Sequence, residues 1–266
     1  MALTRTIWKN SFTVKSVPRF PCPVCQIGFL TASESDFQIV ESEKSKSWHT
    51  DDSWDPICIV GSFSVKLTCE NSHCMESTFL IGKMDVDQEP YFDEYDQYSG
   101  QDYVTYLSPL FFFPGIPILD IDPNVPAEVK KLIDESYQTY WVDLAACANK
   151  IRMVIESIIS NQRISQYVKN QKQKRQILPL HQRITEFGIK KPKEANLLMA
   201  IKWIGNSGSH LGDNLTKDDI LDAYEILGHV TKGLYEKESK IIEAIAKKIN
   251  TRKKPNSKVR AKKKRE

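Results

Sequence analysis

The amino-acid sequence predicts an α+β fold, with a small β-rich unit in the N-terminal half and an α-helical bundle in the C-terminal half. In short runs between residues 36 and 82, apolar residues recur at every second position, whereas beyond residue 126 they recur at steps of three and four. A proline-rich stretch at 106–125 lies between the two patterns and is typical of a linker. We therefore predict domains at 1–105 and 126–250, joined by that linker, and a separate C-terminal segment at 251–266.

The composition of the 266-residue chain is that of a globular protein with real cores. Apolar residues make up 41% and charged residues 27% of the chain, which excludes a wholly disordered protein. No apolar run reaches the length of a membrane span, and the N-terminal residues lack the apolar core of a signal peptide. We therefore expect a cytoplasmic protein that does not contact a membrane.

Charge is distributed unevenly along the chain. Residues 251–266 contain nine Lys and Arg side chains against one Glu, so they carry +8 and the rest of the chain carries −5. With so little to bury, this basic tail is predicted to be disordered, and it serves either as a solubilising segment or as an arm that binds the phosphates of RNA or DNA. The seven acidic residues within 85–102 predict a solvated loop.

Four of the six cysteines form two pairs with the spacing of metal-binding loops. FPCPVCQIGFL separates its two cysteines by two residues, and LTCENSHCME separates its pair by four. Tetrahedral zinc prefers four such thiolates, and two facing loops supply them with little strain. The predicted ligands are Cys22, Cys25, Cys69 and Cys74.

The cysteine pattern therefore predicts a four-cysteine zinc ribbon whose zinc is structural, since four protein ligands leave no open coordination position. Gly28 is expected where the chain passes close to the ligands. Two alternatives remain: His73 replaces its neighbour Cys74 as a ligand, or the four thiols are unrelated. We also expect Cys147 to be a buried core thiol in a helix and Cys58 to lie in the core of a strand.

In the C-terminal half, the spacing predicts one long amphipathic helix over 127–160 and a further helix over 192–204. A short helix ending at Gly188 precedes the second of these. The last helix is expected to begin after Thr216, whose side chain and that of Asp219 form a capping box, and to continue to about residue 249. Four or more helices with short connections indicate a bundle.

Two groups of polar residues stand within or at the end of these apolar helical patterns. Arg152 and Glu156 are four residues apart and therefore share one helix face, either as an exposed ion pair or as part of a site. The segment IKWIGNSGSH at 201–210 ends an apolar run with small and polar residues. It is either a turn that begins at Gly205 or a functional site.

The order of these motifs resembles the domain-of-unknown-function family 4145. The motifs are CPVC (22–25), CENSHC (69–74), FFFPGIPILDIDPNVP (111–126), RMVIE (152–156) and IGNSGSH (204–210). This resemblance covers nearly the whole chain except the tail. The family is similar to the wider HEPN superfamily of helical bundles, and the resemblance therefore implies a HEPN-like bundle in the C-terminal half.

Many HEPN proteins are metal-independent ribonucleases whose site combines an Arg with a nearby His, often in a cleft between two subunits. The resemblance assigns that histidine to His210, but no Arg stands at the expected position before it. The cation must then come from Lys202 or from Arg152. The candidate catalytic residues implied are His210, Asn206, Lys202, Arg152 and Glu156.

These observations lead to two functional hypotheses. The first is a nucleic-acid-associated effector that cleaves RNA without metal, in a prokaryotic defence system of the antiphage or toxin type. The second is a noncatalytic zinc-ribbon adaptor or dimerisation subunit that docks a partner enzyme. Both predict a homodimer through the helical bundle. Whether or not RNA is cut there, we predict that His210 and Arg152 line one cleft at or near the two-fold interface.

Overall fold

A computed structural model describes residues 4–92, 95, 97–169, 174–207 and 215–252. The fold is mixed, with a curled antiparallel sheet in the N-terminal half and helices in the C-terminal half. Among the described residues, no helix combines the length and the apolar character that crossing a lipid bilayer requires.

The long strands lie in the N-terminal half and the long helices in the C-terminal half. The strands are β1 (Leu30–Thr31), β2 (Phe37–Glu41), β3 (Val60–Cys69), β4 (Ser77–Phe92), β5 (Tyr98–Phe113), β6 (Tyr167–Lys169) and β7 (Arg175–Ile177). The helices are α1 (Thr6–Lys9), α2 (Glu43–Lys46), α3 (Ala127–Tyr140), α4 (Leu144–Asn161), α5 (Leu180–Gly188), α6 (Pro192–Ser207), α7 (Lys217–Tyr235) and α8 (Lys237–Arg252).

The main sheet is antiparallel throughout, and β3 lies at its centre. β1 and β2 pair one after the other along one edge of β3, and β4 pairs along the other edge, followed by β5. The predicted loop at 85–102 is wrong, because most of these residues continue β4 and β5 past the end of β3 as a two-stranded ribbon. Aromatic side chains with high β-propensity, such as Tyr91 and Tyr103, favour that extended conformation despite the acidic neighbours.

The predicted linker at 106–125 begins inside a strand. Residues 106–113 form the last part of β5 and pair with β4, with Leu107 and Phe112 buried on the core side. Apolar alternation, rather than the presence of Pro109, determines the conformation here. The stretch without helix or strand is 114–126.

An aromatic cluster joins the sheet to the helices. The ring centroids of Phe20 and Phe112 from the sheet half lie 5.0 Å apart, and Phe112 lies 5.2 Å from Trp141, which follows α3. Trp8 packs between Phe20 and Tyr140. The buried side chains of both halves form one continuous core.

The prediction of one helix over 127–160 is wrong, because α3 and α4 are separate helices. The break at residues 141–143 has two causes. The Trp141 ring is buried among the aromatic side chains of the sheet half, and the Asp143 carboxylate accepts a hydrogen bond from the Ala146 N–H as the N-cap of α4. Packing and capping together favour a corner where the apolar spacing alone indicates continuity.

The later helices follow the sequence more closely. α5 ends at Gly188, and α6 begins at Pro192 and extends to Ser207, three residues beyond the predicted end. The capping box of Thr216 and Asp219 is confirmed at the start of α7. The last predicted helix is divided into α7 and α8, because Glu236 has an extended backbone conformation with φ −61° and ψ 120°. α6 packs against α4, α5 and α7.

Candidate functional site

Two loops of the sheet half bring four cysteines together. β1 pairs with the end of β3, Leu30 opposite Cys69, and this pairing sets the loop at 22–29 beside the loop at 69–76. The sulfur atoms of all four cysteines lie within 4.8 Å of one another. The Cys22 and Cys74 sulfurs are 3.8 Å apart, and those of Cys25 and Cys69 are 3.7 Å apart. These four residues can hold a metal ion, as the spacing of the two pairs predicted.

Tight turns follow both cysteine pairs. Gln26 and Met75, each directly after the second cysteine of its pair, have positive φ angles of 55° and 51°. Gly28 is confirmed as a point of close approach, because a Cβ there would lie 2.7 Å from the Cys69 sulfur and 2.9 Å from the Asn71 Cβ. The two loops therefore fit together only because residue 28 has no side chain.

The four thiols differ in electrostatic environment. The backbone N–H groups of Gly28 and Ile27 point at Cys25 and lower the pKa of its thiol to about 6. Burial raises the pKa of the Cys69 thiol to about 12. Donors that favour the thiolate at Cys25 also favour its use as a metal ligand.

The remaining cysteine and histidine predictions have mixed outcomes. Cys74 belongs to the four-sulfur cluster, whereas the neighbouring His73 is exposed, so the cysteine alternative holds. Cys147 is a buried thiol in α4, as predicted. The prediction for Cys58 is wrong, because it ends a short 3-10 helix and is only half-buried.

A second polar group lies where α4 and α6 cross. Arg152 of α4 donates a hydrogen bond from Nη1 to the Asn206 Oδ1 of α6, at 3.0 Å. The helices pass closely at Gly205, where a Cβ would lie 3.4 Å from both the Ala148 carbonyl oxygen and the Arg152 Cβ. Gly205 is part of α6, so the alternative of a turn beginning at this residue is wrong.

Glu156 and Lys202 extend this polar group along the same two helices. The Glu156 carboxylate lies 3.7 Å from the Arg152 Nε, and both side chains are more than a third exposed. Lys202 lies one helical turn before Asn206 on α6 and is only 8% exposed, with its ammonium 3.6 Å from the centre of the Trp203 ring. The structure thus places four of the five candidate catalytic residues on α4 and α6.

The fifth residue, His210, lies outside the described residues, as does the rest of 208–214. The described part of α6 reaches Ser207, three residues before it. The predicted cleft between His210 and Arg152 stays a prediction. Residues 253–266 of the basic tail also lie outside the described residues, whereas Thr251 and Arg252 form the end of α8.

Sequence reasoning did not find Arg183 of α5, which connects to the same part of α4. Its Nη2 donates to the Ser160 Oγ at 2.7 Å and to the Glu156 carbonyl oxygen at 3.4 Å. The guanidinium is buried, its Nε has no partner among the described residues, and burial lowers its pKa. A polar position on the buried face of a short helix is the only signal of this residue in the sequence.

Family models match two parts of the chain. Residues 10–112, which include the sheet and all four clustered cysteines, match a domain of unknown function, DUF8608. Residues 134–252, which include Arg152, Glu156, Lys202 and Asn206, match a second domain of unknown function, DUF4145. No curated protein and no solved structure matches the chain. The predicted resemblance to the DUF4145 family is confirmed for residues 134–252. Its predicted extent over nearly the whole chain is wrong, because the cysteine motifs CPVC and CENSHC lie within the DUF8608 match.

Proposed function

We propose that this protein is a nucleic-acid-associated effector in which a zinc ribbon supports a HEPN-like helical bundle that cleaves RNA without metal. The zinc is structural. A tetrahedral Zn–S distance of about 2.3 Å implies sulfur–sulfur separations of about 3.8 Å, and the two closest pairs described above agree with it. Four thiolates leave no coordination position for a substrate, so the metal takes no part in the chemistry.

Metal-independent RNA cleavage needs a base for the 2′-hydroxyl, an acid for the leaving oxygen and a fixed cation for the phosphorus centre. In this proposal, His210 transfers the protons, because its unperturbed pKa is near neutral pH. Arg152 binds the phosphate through the guanidinium hydrogens that Asn206 and Glu156 leave free, and Lys202 adds a second cation.

The contact between Arg152 and Asn206 is the observation that carries the proposal. It joins the RMVIE motif of α4 to the IGNSGSH motif of α6, although 54 residues separate them. Arg152 remains 35% exposed at the side chain, so a phosphate can reach it. The ion pair with Glu156 fixes the orientation of the guanidinium without burying it. His210, the residue proposed to transfer the protons, comes three residues after Ser207 of α6 in the sequence.

The basic tail and a second copy of the chain complete the proposal. The nine cations of 251–266 supply nonspecific attraction to RNA or DNA that weakens with salt. Pairing of two bundles forms a composite cleft, as the resemblance to HEPN proteins implies. The biological setting that we propose is a cytoplasmic prokaryotic defence system of the antiphage or toxin type.

One observation favours the noncatalytic adaptor as a second candidate. The outer face of the main sheet exposes adjacent apolar side chains, Phe79 and Ile81 of β4 and Phe113 of β5. Large exposed apolar patches are typical of protein–protein contacts. An adaptor would use this face to dock a partner enzyme, and the polar group of α4 and α6 would then only stabilise helix packing.

A cleavage assay tests the first candidate. Purified protein is incubated with end-labelled RNA in magnesium-free buffer, and zinc content is checked before and after. We expect cleavage by the wild type, with losses of about 100-fold or more in His210→Ala and Arg152→Ala. Arg19→Ala is the matched control, since Arg19 is also an ion-paired surface arginine, bound to Glu70 in the sheet half.

The controls make the result decisive. Thermal melts establish that each variant folds, and Arg152→Lys retains a charge while removing the planar pair of donors. Wild-type activity in both alanine variants, or no cleavage by the wild type, would contradict the proposal. If the wild type does not cleave RNA, the adaptor hypothesis remains, and Phe79→Asp should then abolish capture of the partner enzyme.

A further inference from the structure

The start of α5 and the end of α6 meet at one end of the helical part. Only residues 189–191 separate the two helices, which pack against each other as an antiparallel pair. The His181 ring of α5 consequently lies 6.3 Å from the Trp203 ring of α6. Asn206, with its bound Arg152, is one turn further along α6. This end therefore combines aromatic side chains with the polar group described above.

Trp203 is a large aromatic side chain on the exposed face of α6. The helix packs against α4, α5 and α7, and on its remaining face, which also carries Asn196 and Ala200, the Trp203 side chain is 56% exposed. The adjacent Lys202 places its ammonium 3.6 Å from the ring centre, a cation–π contact. An indole ring that contacts a cation and stays more than half exposed contributes little to the core and is accessible to a ligand.

A basic hairpin leads into the same end. β6 and β7 pair antiparallel, and α5 begins three residues after β7. Within the hairpin, the Arg175 guanidinium lies 3.6 Å from the centre of the Tyr167 ring. Lys169 lies opposite Arg175 in the strand register. The hairpin thus presents a second cation–aromatic pair on an exposed surface, and the chain connects it directly to His181.

We propose that this end of the molecule binds an unpaired RNA strand, with one base stacked on Trp203 and neighbouring phosphates bound by Arg152 and Arg175. The inference rests on the proposed function, since it names the substrate class of that site. Aromatic rings alternating with cations are the arrangement that binds single strands without sequence preference, because every base has a face that can stack. Bases inside a duplex are already stacked on each other and do not reach such a ring.

The arrangement also relates binding to cleavage. Trp203 precedes Asn206 by three residues, about one turn of helix. A base stacked on Trp203 therefore brings an adjacent phosphate near Arg152, the cation proposed to act at the cleavage site. The same strand continues over the hairpin toward Arg175.

A binding assay with uncleavable RNA tests the inference separately from catalysis. The probe is a fluorescent 2′-O-methyl oligoribonucleotide of about 12 nucleotides, titrated by anisotropy as a single strand and as a blunt duplex. We expect Trp203→Ala to weaken single-strand binding about 10-fold, and Trp203→Phe, which keeps a stacking ring, to restore most of it. Trp48→Ala is the matched control, because Trp48 is 57% exposed but belongs to the sheet half.

Arg175→Ala supplies a second, independent measurement. It should weaken binding and lower the slope of log affinity against log salt by about 0.7, the value for one phosphate contact on a single strand. Unchanged affinity in Trp203→Ala, or equal binding of duplex and single strand, overturns the inference. Unchanged affinity is the result expected if Trp203 instead docks a protein. Loss of binding in Trp203→Ala without cleavage of natural RNA by the wild type supports the inference and contradicts the ribonuclease. If the wild type cleaves natural RNA and Trp203→Ala leaves this cleavage unchanged, the ribonuclease is supported and the inference is contradicted.

Discussion

At the scale of a single residue, Gly28 determines how closely the two cysteine loops approach each other. Alanine would place a Cβ 2.7 Å from the Cys69 sulfur, so the loops would have to move apart. We expect Gly28→Ala to weaken metal binding about 10-fold or more and to lower the melting temperature, because binding energy at such a site is folding energy. Elemental analysis and competition with a chromogenic chelator measure the first effect.

Wild-type protein should contain about one zinc per chain, and Cys22→Ser should lose it. Gly233→Ala is the control for the glycine substitution, since Gly233 lies in α7 and a Cβ there meets nothing within 4 Å. It should leave zinc binding unchanged and stabilise the helix by about 0.5–1 kcal/mol. Wild-type chelator resistance in Gly28→Ala would show that the loops tolerate the extra carbon.

Some residues of the two candidate sites could be predicted from the sequence, and others could not. The cysteines were predictable because ligand spacing is a local property, set by the reach of a few residues around one ion. Trp203 and Arg183 were not, since their meaning depends on exposure and on contacts between helices. A tryptophan in an apolar helix predicts burial, whereas Trp203 lies on the face of α6 that no other helix covers.

At the scale of elements, the corner between α3 and α4 depends on the cap at Asp143. Its carboxylate accepts the Ala146 N–H at 3.0 Å, which satisfies one of the donors that a helix start leaves free. We expect Asp143→Ala to lower the free energy of unfolding by about 1 kcal/mol, and Asp143→Asn, which can also cap, to lower it much less. Urea denaturation followed by circular dichroism measures both. Equal losses in the two variants would contradict a capping role.

The same corner shows why the sequence predicted helix content better than helix boundaries. Apolar spacing runs through residues 140–144 without a break, and a local pattern therefore predicts one helix. Besides the cap at Asp143, the break arises from contacts between Trp141 and the sheet half, which are distant in sequence. Thr216, by contrast, caps α7 through Asp219 three residues later, so that boundary was predictable.

At the scale of the whole molecule, the sequence predicted two halves of different periodicity but not how they join. The β and α segments were identified from repeats of two and of three to four residues. The junction consists of aromatic side chains from distant positions, among them Trp8, Phe20 and Trp141. Such contacts leave no periodic signal. The halves therefore share one core, although their sequences resemble separate units.

A charged cluster adds a second connection between the N-terminal segment and α7. Arg5 lies 2.5 Å from an oxygen of Asp222 and 2.9 Å from one of Glu225, and Lys9 lies 2.5 Å from Asp218. Hydrogen bonding to Lys9 and then to Arg5 lowers the pKa of the Asp218 carboxyl below its usual 3.8. Since the folded protein binds this proton less readily than the unfolded chain, the resulting stabilisation is complete above about pH 4. It is lost as the pH falls through the lowered pKa.

We therefore expect the double variant Arg5→Ala, Lys9→Ala to melt about 2 °C below the wild type at pH 7. The difference should shrink below about pH 4, because protonated Asp218 no longer pairs with either cation, and it should also shrink in high salt. Arg19→Ala is the control, since its ion pair with Glu70 lies within the sheet half. Scanning calorimetry between pH 3 and 7 makes the comparison. A melting difference that is constant over this range and insensitive to salt would mean that the two side chains stabilise the junction by packing rather than by charge.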